Sequence, residues 1–238
     1  AEQGFSSAQT NLGICYQSGN GVETDLKKAV SWYTKAAKQG NVVAQTNLGV
    51  CYFSGYGAKK DLKKAVSWYT KAAKQGFCEA QYNLGVCYSE GYGVEIDYEK
   101  AFYWFTKSAE QGVTAAQTNL GFCYSDGEGV KQDHEKAIYW HTKAAEQGDP
   151  IAQNNLGVSY ESGEGVKQDY KKAVYWYTMA AEQGVDSAQL SLGLCYEIGR
   201  GVEKDYKKAV YWYTKAAEQG NTEAQDMLTM IASAKFTF

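Results

Sequence analysis

The chain has 238 residues, of which 44% are hydrophobic and 14% aromatic, and its formal net charge is −3. So small a net charge leaves no global nucleic-acid footprint, and no stretch approaches the roughly 18 apolar residues of a membrane span. At about 150 residues per domain the length alone fits one or two domains.

A repeat overrides that estimate. Trp32, Trp68, Trp104, Trp140, Trp176 and Trp212 recur every 36 residues and are all the tryptophans present. Tyr16, Tyr52, Tyr88, Tyr124, Tyr160 and Tyr196 keep the same interval, and all 25 glycines fall on four repeat positions. A fixed period of this size signals an array in which each unit buries its apolar face against its neighbours. The reading is one all-α solenoid over residues 1–238. Its units are 1–36, 37–72, 73–108, 109–144, 145–180 and 181–216, followed by a C-terminal cap, 217–238.

The chain opens on Ala1-Glu2-Gln3-Gly4, which matches the end of a unit (Ala109-Glu110-Gln111-Gly112). The expectation is that the array continues upstream in a longer protein. No signal peptide is visible, so the cellular address is left open.

The second unit shows how each one is built. Gly40 is the expected C-cap glycine of the preceding helix and Asn41 the N-cap of a helix A running to about Ser54. The fifth unit has Asp149-Pro150 there, an acidic cap and then proline at the first helical position, where its missing N–H costs nothing. Gly55 and Gly57 allow the left-handed backbone of a tight turn. Asp61 then caps a helix B running through Trp68 to Gln75, as Asp25, Asp97, Asp133, Asp169 and Asp205 do elsewhere. Ala44, Leu48 and Cys51 on helix A, with Ala65, Trp68, Ala72 and Ala73 on helix B, have the spacing of a core. Gly49 lies mid-helix, where it costs about 1 kcal/mol relative to alanine. The expected compensation is close approach of a helix carrying the bulky tryptophan.

Cys15, Cys51, Cys87, Cys123 and Cys195 share one slot, where the fifth unit has Ser159. Packed helices lie on the order of 10 Å apart and a disulfide needs Cα atoms within roughly 7 Å, so buried free thiols are expected. Cys78 lies about 13 Å along its helix from Cys87, too far to pair.

Charge is uneven. Residues 37–72 hold six lysines against Asp61, a net of +5, whereas 73–238 hold 15 basic and 23 acidic residues, a net of −8. Such asymmetry fits solvated helix faces, and it also fits an acidic stretch that steers a basic partner.

Leu84-Gly-x-Cys-Tyr-x-x-Gly-x-Gly-Val94, then Asp97-Tyr-x-Lys-Ala101, Trp104-Phe-Thr-Lys107 and Ala109-Glu-Gln-Gly112, resemble the Sel1-like repeat, a helical-hairpin relative of the tetratricopeptide repeat. The resemblance covers residues 1–220. It implies a right-handed α-α superhelix of six hairpins with helix A on the concave side, and adaptor or scaffold work through protein–protein contacts. A cysteine-rich branch with paired cysteines in each unit is associated with β-lactamase activity. This chain has one cysteine per unit, so hydrolysis is only a remote alternative.

The variable arc of helix A is the candidate binding surface. One slot is apolar throughout, including Val50, Val86 and Phe122; beside it lie Tyr82 and, on a third line, Phe53, Glu161 and Glu197. The loop tips add Tyr56 and Tyr92. Exposed aromatics in this arrangement are typical interface anchors, although some can instead plug gaps between units. Asn47, Asn83, Asn119 and Asn155 belong to a ladder of amides that could bond an extended peptide backbone or a loop carbonyl of the array itself. The expected ligand is a protein or peptide, with a basic segment favoured by the acidic second half. Glycan or peptidoglycan stacked on the tyrosines is the alternative.

Catalytic and cofactor chemistry finds little support. The two histidines, His134 and His141, are seven residues apart, in slots that elsewhere hold Leu, Tyr or Phe. A metal site asks for three or four ligands. The Gly-x-Gly turns follow helices and lack the strand and lysine of a phosphate loop. No enzyme activity and no cofactor are expected. The tail starts a seventh helix A, with Ala224, Leu228 and Ile231 in core slots, to cap the open end. Phe236 and Phe238 have no assigned place, and two alternatives stay open for them: folding back on that end, or self-association between chains through the termini.

Overall fold

The computed structural model describes residues 4–234. Among these there are thirteen α-helices and no strand. The A helices are α1 (Ser6–Ser18), α3 (Val42–Ser54), α5 (Cys78–Glu90), α7 (Thr114–Asp126), α9 (Pro150–Ser162) and α11 (Asp186–Ile198). The B helices are α2 (Leu26–Lys38), α4 (Leu62–Lys74), α6 (Tyr98–Ala109), α8 (His134–Glu146), α10 (Tyr170–Glu182) and α12 (Tyr206–Glu218), and α13 (Thr222–Ala234) follows. Phe236 and Phe238 lie outside the described residues.

The chain forms two compact units, residues 1–116 with 128–130 and residues 117–127 with 131–238. In the first, each helix from α1 to α6 packs on the next; in the second, the same succession runs from α8 to α13. In α13, Ala224 is fully buried and Leu228 and Ile231 pack around it, as the tail's spacing predicts.

The caps follow the sequence. Asp61 accepts from the Lys64 backbone N–H at 3.0 Å, and the other five helix-B aspartates accept from the equivalent donor. Those bonds stabilise the carboxylate, which holds Asp25 and Asp61 below the usual carboxylate range. Asn41 and Asp149 cap α3 and α9 in the same way, whereas Phe5, Phe77 and Val185 occupy that position with no side-chain bond. At the turn, Gly55 is left-handed at φ +81° and its N–H reaches Cys51 O at 2.9 Å. Gly57 lies on the carbonyl of Leu26 in the preceding hairpin, where a side chain would collide with backbone.

The core corrects one expectation. The ring that meets the mid-helix glycine is not the tryptophan but its successor. Tyr33, Tyr69 and Phe105 lie on Gly13, Gly49 and Gly85, and His141, Tyr177 and Tyr213 on Gly121, Gly157 and Gly193. Tyr69 is 3% exposed, whereas Trp68 is half-buried at the margin of the cluster. The two positions differ by about 100° on the wheel, and the helix crossing turns the second one inward.

Glutamines tie together the two helices of each hairpin and, within each compact unit, bond it to the hairpin before it. Gln75 Nε2 donates to Gln45 Oε1 at 2.8 Å, and Gln45 Nε2 donates to Ala37 O at 3.2 Å. The same glutamine pair, 30 residues apart, recurs from Gln39–Gln9 to Gln219–Gln189. Each buried amide thereby satisfies groups that would otherwise be desolvated without partners.

Cys51, Cys87 and Cys195 are buried thiols, and burial raises them to about 11, 12 and 11 respectively. A thiol held that far from ionisation is a small hydrophobe rather than a nucleophile.

Candidate functional site

In the first unit, α3 and α5 position eight of the nominated residues. Val50 and Phe53 pack against the core from its edge. Phe53 meets Tyr92 edge-to-face with centroids 5.4 Å apart, a favourable aromatic geometry. Tyr92 and Tyr56, at successive turns, are 38% and 57% exposed. Tyr82 instead leans on Phe105 at 6.1 Å. Asn83 and Val86 are half-buried, and the Asn47 amide bonds the hydroxyl of Tyr33.

In the second unit, Asn119 is half-buried. Phe122 packs edge-on against His141 with centroids 5.3 Å apart. Glu161 accepts from the Tyr177 hydroxyl at 2.7 Å and from Arg200 Nη1 at 2.9 Å, and Glu197 accepts from the Tyr213 hydroxyl at 2.6 Å. Asn155 lies beside a cleft of about 180 Å³, where its Nδ2 has no partner. His141, 3% exposed, lines the same cleft, and burial lowers its imidazole from 6.5 to about 4.

These surfaces sit on a six-fold hairpin repeat whose model matches the chain over residues 6–41, 42–77, 78–113, 114–149, 150–185 and 186–221. The chain belongs to the Sel1 repeat family. Each matched Sel1 repeat begins on the first residue of an A helix. The protective antigen c5321 of uropathogenic Escherichia coli, itself of this fold, is 40% identical with a TM-score of 0.93; the match covers 99% of this chain and 50% of that one. The chain thus spans half the length of that relative. A Sel1 repeat protein from Oxalobacter formigenes is 37% identical, with a TM-score of 0.80 over 90% of this chain and 86% of that one. The immunity protein PA5088 of Pseudomonas aeruginosa, 22% identical with a TM-score of 0.53 over 90% of this chain and 80% of that one, shares the fold. A comparison with curated proteins finds no match.

Sequence reading missed one feature of the Sel1 units. Tyr139, Tyr175 and Tyr211 on α8, α10 and α12 are each more than half exposed and lie edge-on to the adjacent tryptophan. The signal was present, since Ser31 and Ser67 hold that slot in the first two repeats and tyrosine holds it in the last four. Among the described residues, no three His, Cys, Asp or Glu side chains are grouped to hold a metal, and no helix is long and apolar enough to cross a membrane.

Proposed function

We propose that this chain is a non-enzymatic adaptor, as Sel1 repeat scaffolds generally are, and that it holds a protein or peptide segment on the A-helix side of its hairpins. The observation that carries the reading is the pair Phe53–Tyr92. One ring is anchored in the core edge and braces a second that stands partly in solvent, with Tyr56 exposed at the preceding turn. A braced aromatic loses little side-chain entropy on binding, which is why such residues dominate interface energetics. Exposed Asp126 and Glu164 in the second unit favour a segment with basic residues.

The test is a peptide-display selection on the native protein, repeated on a Phe53→Ala, Tyr92→Ala double variant shown to unfold at a similar temperature. Selected peptides should lose about tenfold or more in affinity on the variant. Equal binding to both proteins, or saturable binding to an arrayed glycan with no peptide enriched, would sink this reading.

A further inference from the structure

The hairpins share an internal ring site, and two of them lack the phenol there: the third repeat has Phe105 and the fourth has His141. In the first repeat, the Tyr33 hydroxyl donates to Gln17 Oε1 at 2.6 Å and is bonded by Asn47, 14 residues on. In the fifth, the Tyr177 hydroxyl donates to Glu161 and is bonded by Ser191; in the sixth, Tyr213 donates to Glu197. The fourth repeat keeps the frame but shortens both ends. The ring is His141, and the residue 16 positions earlier is Ser125. The amide 14 positions later, Asn155, is retained.

Shortening both ends opens the cleft of about 180 Å³ within the second unit. Ala137 and His141 are its most buried walls, Phe122 and Val158 contribute apolar surface, and Asp126 and Glu164 stand exposed at its mouth. His141 bonds the backbone carbonyl of Thr118 through its other nitrogen, so Nδ1 carries the proton and Nε2 offers a lone pair. That Nε2 and Asn155 Nδ2 are buried with no partner: one is an acceptor and the other a donor. A single hydroxyl can serve both, giving its proton to the imidazole and a lone pair to the amide. An apolar cavity of about 150 Å³ is enough to admit benzene, so this one is large enough for a phenol ring.

We propose that this cleft receives the phenol of a tyrosine from a bound peptide, whose hydroxyl supplies the polar group that the chain's own Tyr177 supplies in the fifth repeat. The proposal rests on the peptide-binding reading and adds to it the side chain that is read. The carboxylates at the mouth set a further preference. A phosphate on the tyrosine would bring about two negative charges against Asp126 and Glu164, so the unmodified side chain is selected. Lysine or arginine next to the tyrosine is favoured by the same pair.

The experiment uses p-cresol and toluene as probes, followed by amide chemical shifts on the intact protein, and then Lys-Tyr-Lys, Lys-Phe-Lys and Lys-phosphotyrosine-Lys peptides blocked at both ends. Saturable p-cresol binding is expected, with shifts at residues around His141 and Asn155 and toluene weaker by about tenfold, the worth of a satisfied hydrogen bond. The tyrosine peptide should exceed the phenylalanine and phosphotyrosine peptides by a similar factor. His141→Tyr supplies an internal phenol, and Ser125→Gln restores the longer partner seen at Gln17. Each should abolish p-cresol binding without lowering the unfolding midpoint, and the second serves if the first does not fold. Absence of saturable p-cresol binding, binding unchanged in a folded variant, or a phosphotyrosine peptide that binds as well as the tyrosine peptide would each overturn the proposal. If p-cresol fails while display-selected peptides still depend on Phe53 and Tyr92, the cleft assignment falls and the peptide-binding face stands.

Discussion

Tyr69 rests its ring edge on Gly49: a Cβ placed on that glycine would stand 2.5 Å from Tyr69 Cε1. This contact explains why a residue that weakens an isolated helix is retained at mid-helix, because the missing side chain is the space the ring fills. Gly49→Ala would relieve about 1 kcal/mol of helix-propensity cost in an open setting. Here the ring must move, and overpacking of a fitted core costs roughly 1–3 kcal/mol. Net destabilisation is expected, read as a lower urea midpoint; an unchanged or raised midpoint would show that the contact is not tight.

Tyr69→Ala and Trp68→Ala rank the two rings. Tyr69 is nearly inaccessible whereas Trp68 is half-buried, so the tyrosine should be the costlier loss, at roughly 3–5 kcal/mol. The comparison is made by urea denaturation of the two variants side by side. A larger loss for Trp68→Ala would reverse the assignment of the core.

Gln75→Ala should cost about 1–3 kcal/mol, because it leaves Gln45 Oε1 without its donor in a buried setting. The double variant with Gln45→Ala removes both partners. A double-mutant cycle should therefore show the second loss to be smaller once the first has been made. Strict additivity would mean that the two amides act independently.

The buried imidazole makes stability depend on pH. His141 titrates near 4 in the folded chain and near its ordinary 6.5 when unfolded, so between these values the unfolded state binds the extra proton. Its contribution is complete above about pH 6.5 and is lost as pH falls towards 4, by roughly 3 kcal/mol in all. The groups facing it are Asp126, His134 and Glu164 in the cleft and Asp149 at the start of α9; the Asp126 and Asp149 charges oppose the shift without reversing it. The capping carboxylates of Asp61, Asp97 and Asp133 are held below 3.8 and so act at lower pH. Unfolding of the native chain and of His141→Tyr, measured from pH 7 to pH 4, should show a slope that the variant lacks. Parallel profiles would remove His141 as the cause.

Much of the candidate site was legible because it lies on variable slots of a strict period. The exposure of Tyr56 and Tyr92 follows from their place between paired turn glycines. The fates of Tyr82, Phe122, Glu161 and Glu197 were not legible. Each meets a side chain of the following B helix, 16 to 23 residues on, and that meeting depends on how two helices cross.

The sequence by itself determined the period, the thirteen helices, their aspartate and glycine ends and the alanine, leucine and cysteine core slots, because these depend on local backbone preference and on side-chain spacing along one helix. Only the tertiary structure decided that tyrosine rather than tryptophan meets the glycine, that glutamines link one hairpin to the next within each compact unit, and that His141 and Ser125 together leave a cleft. Neighbouring positions on a helix point about 100° apart, and which of them faces the next helix is fixed by the crossing of the two, a property that neither helix carries alone.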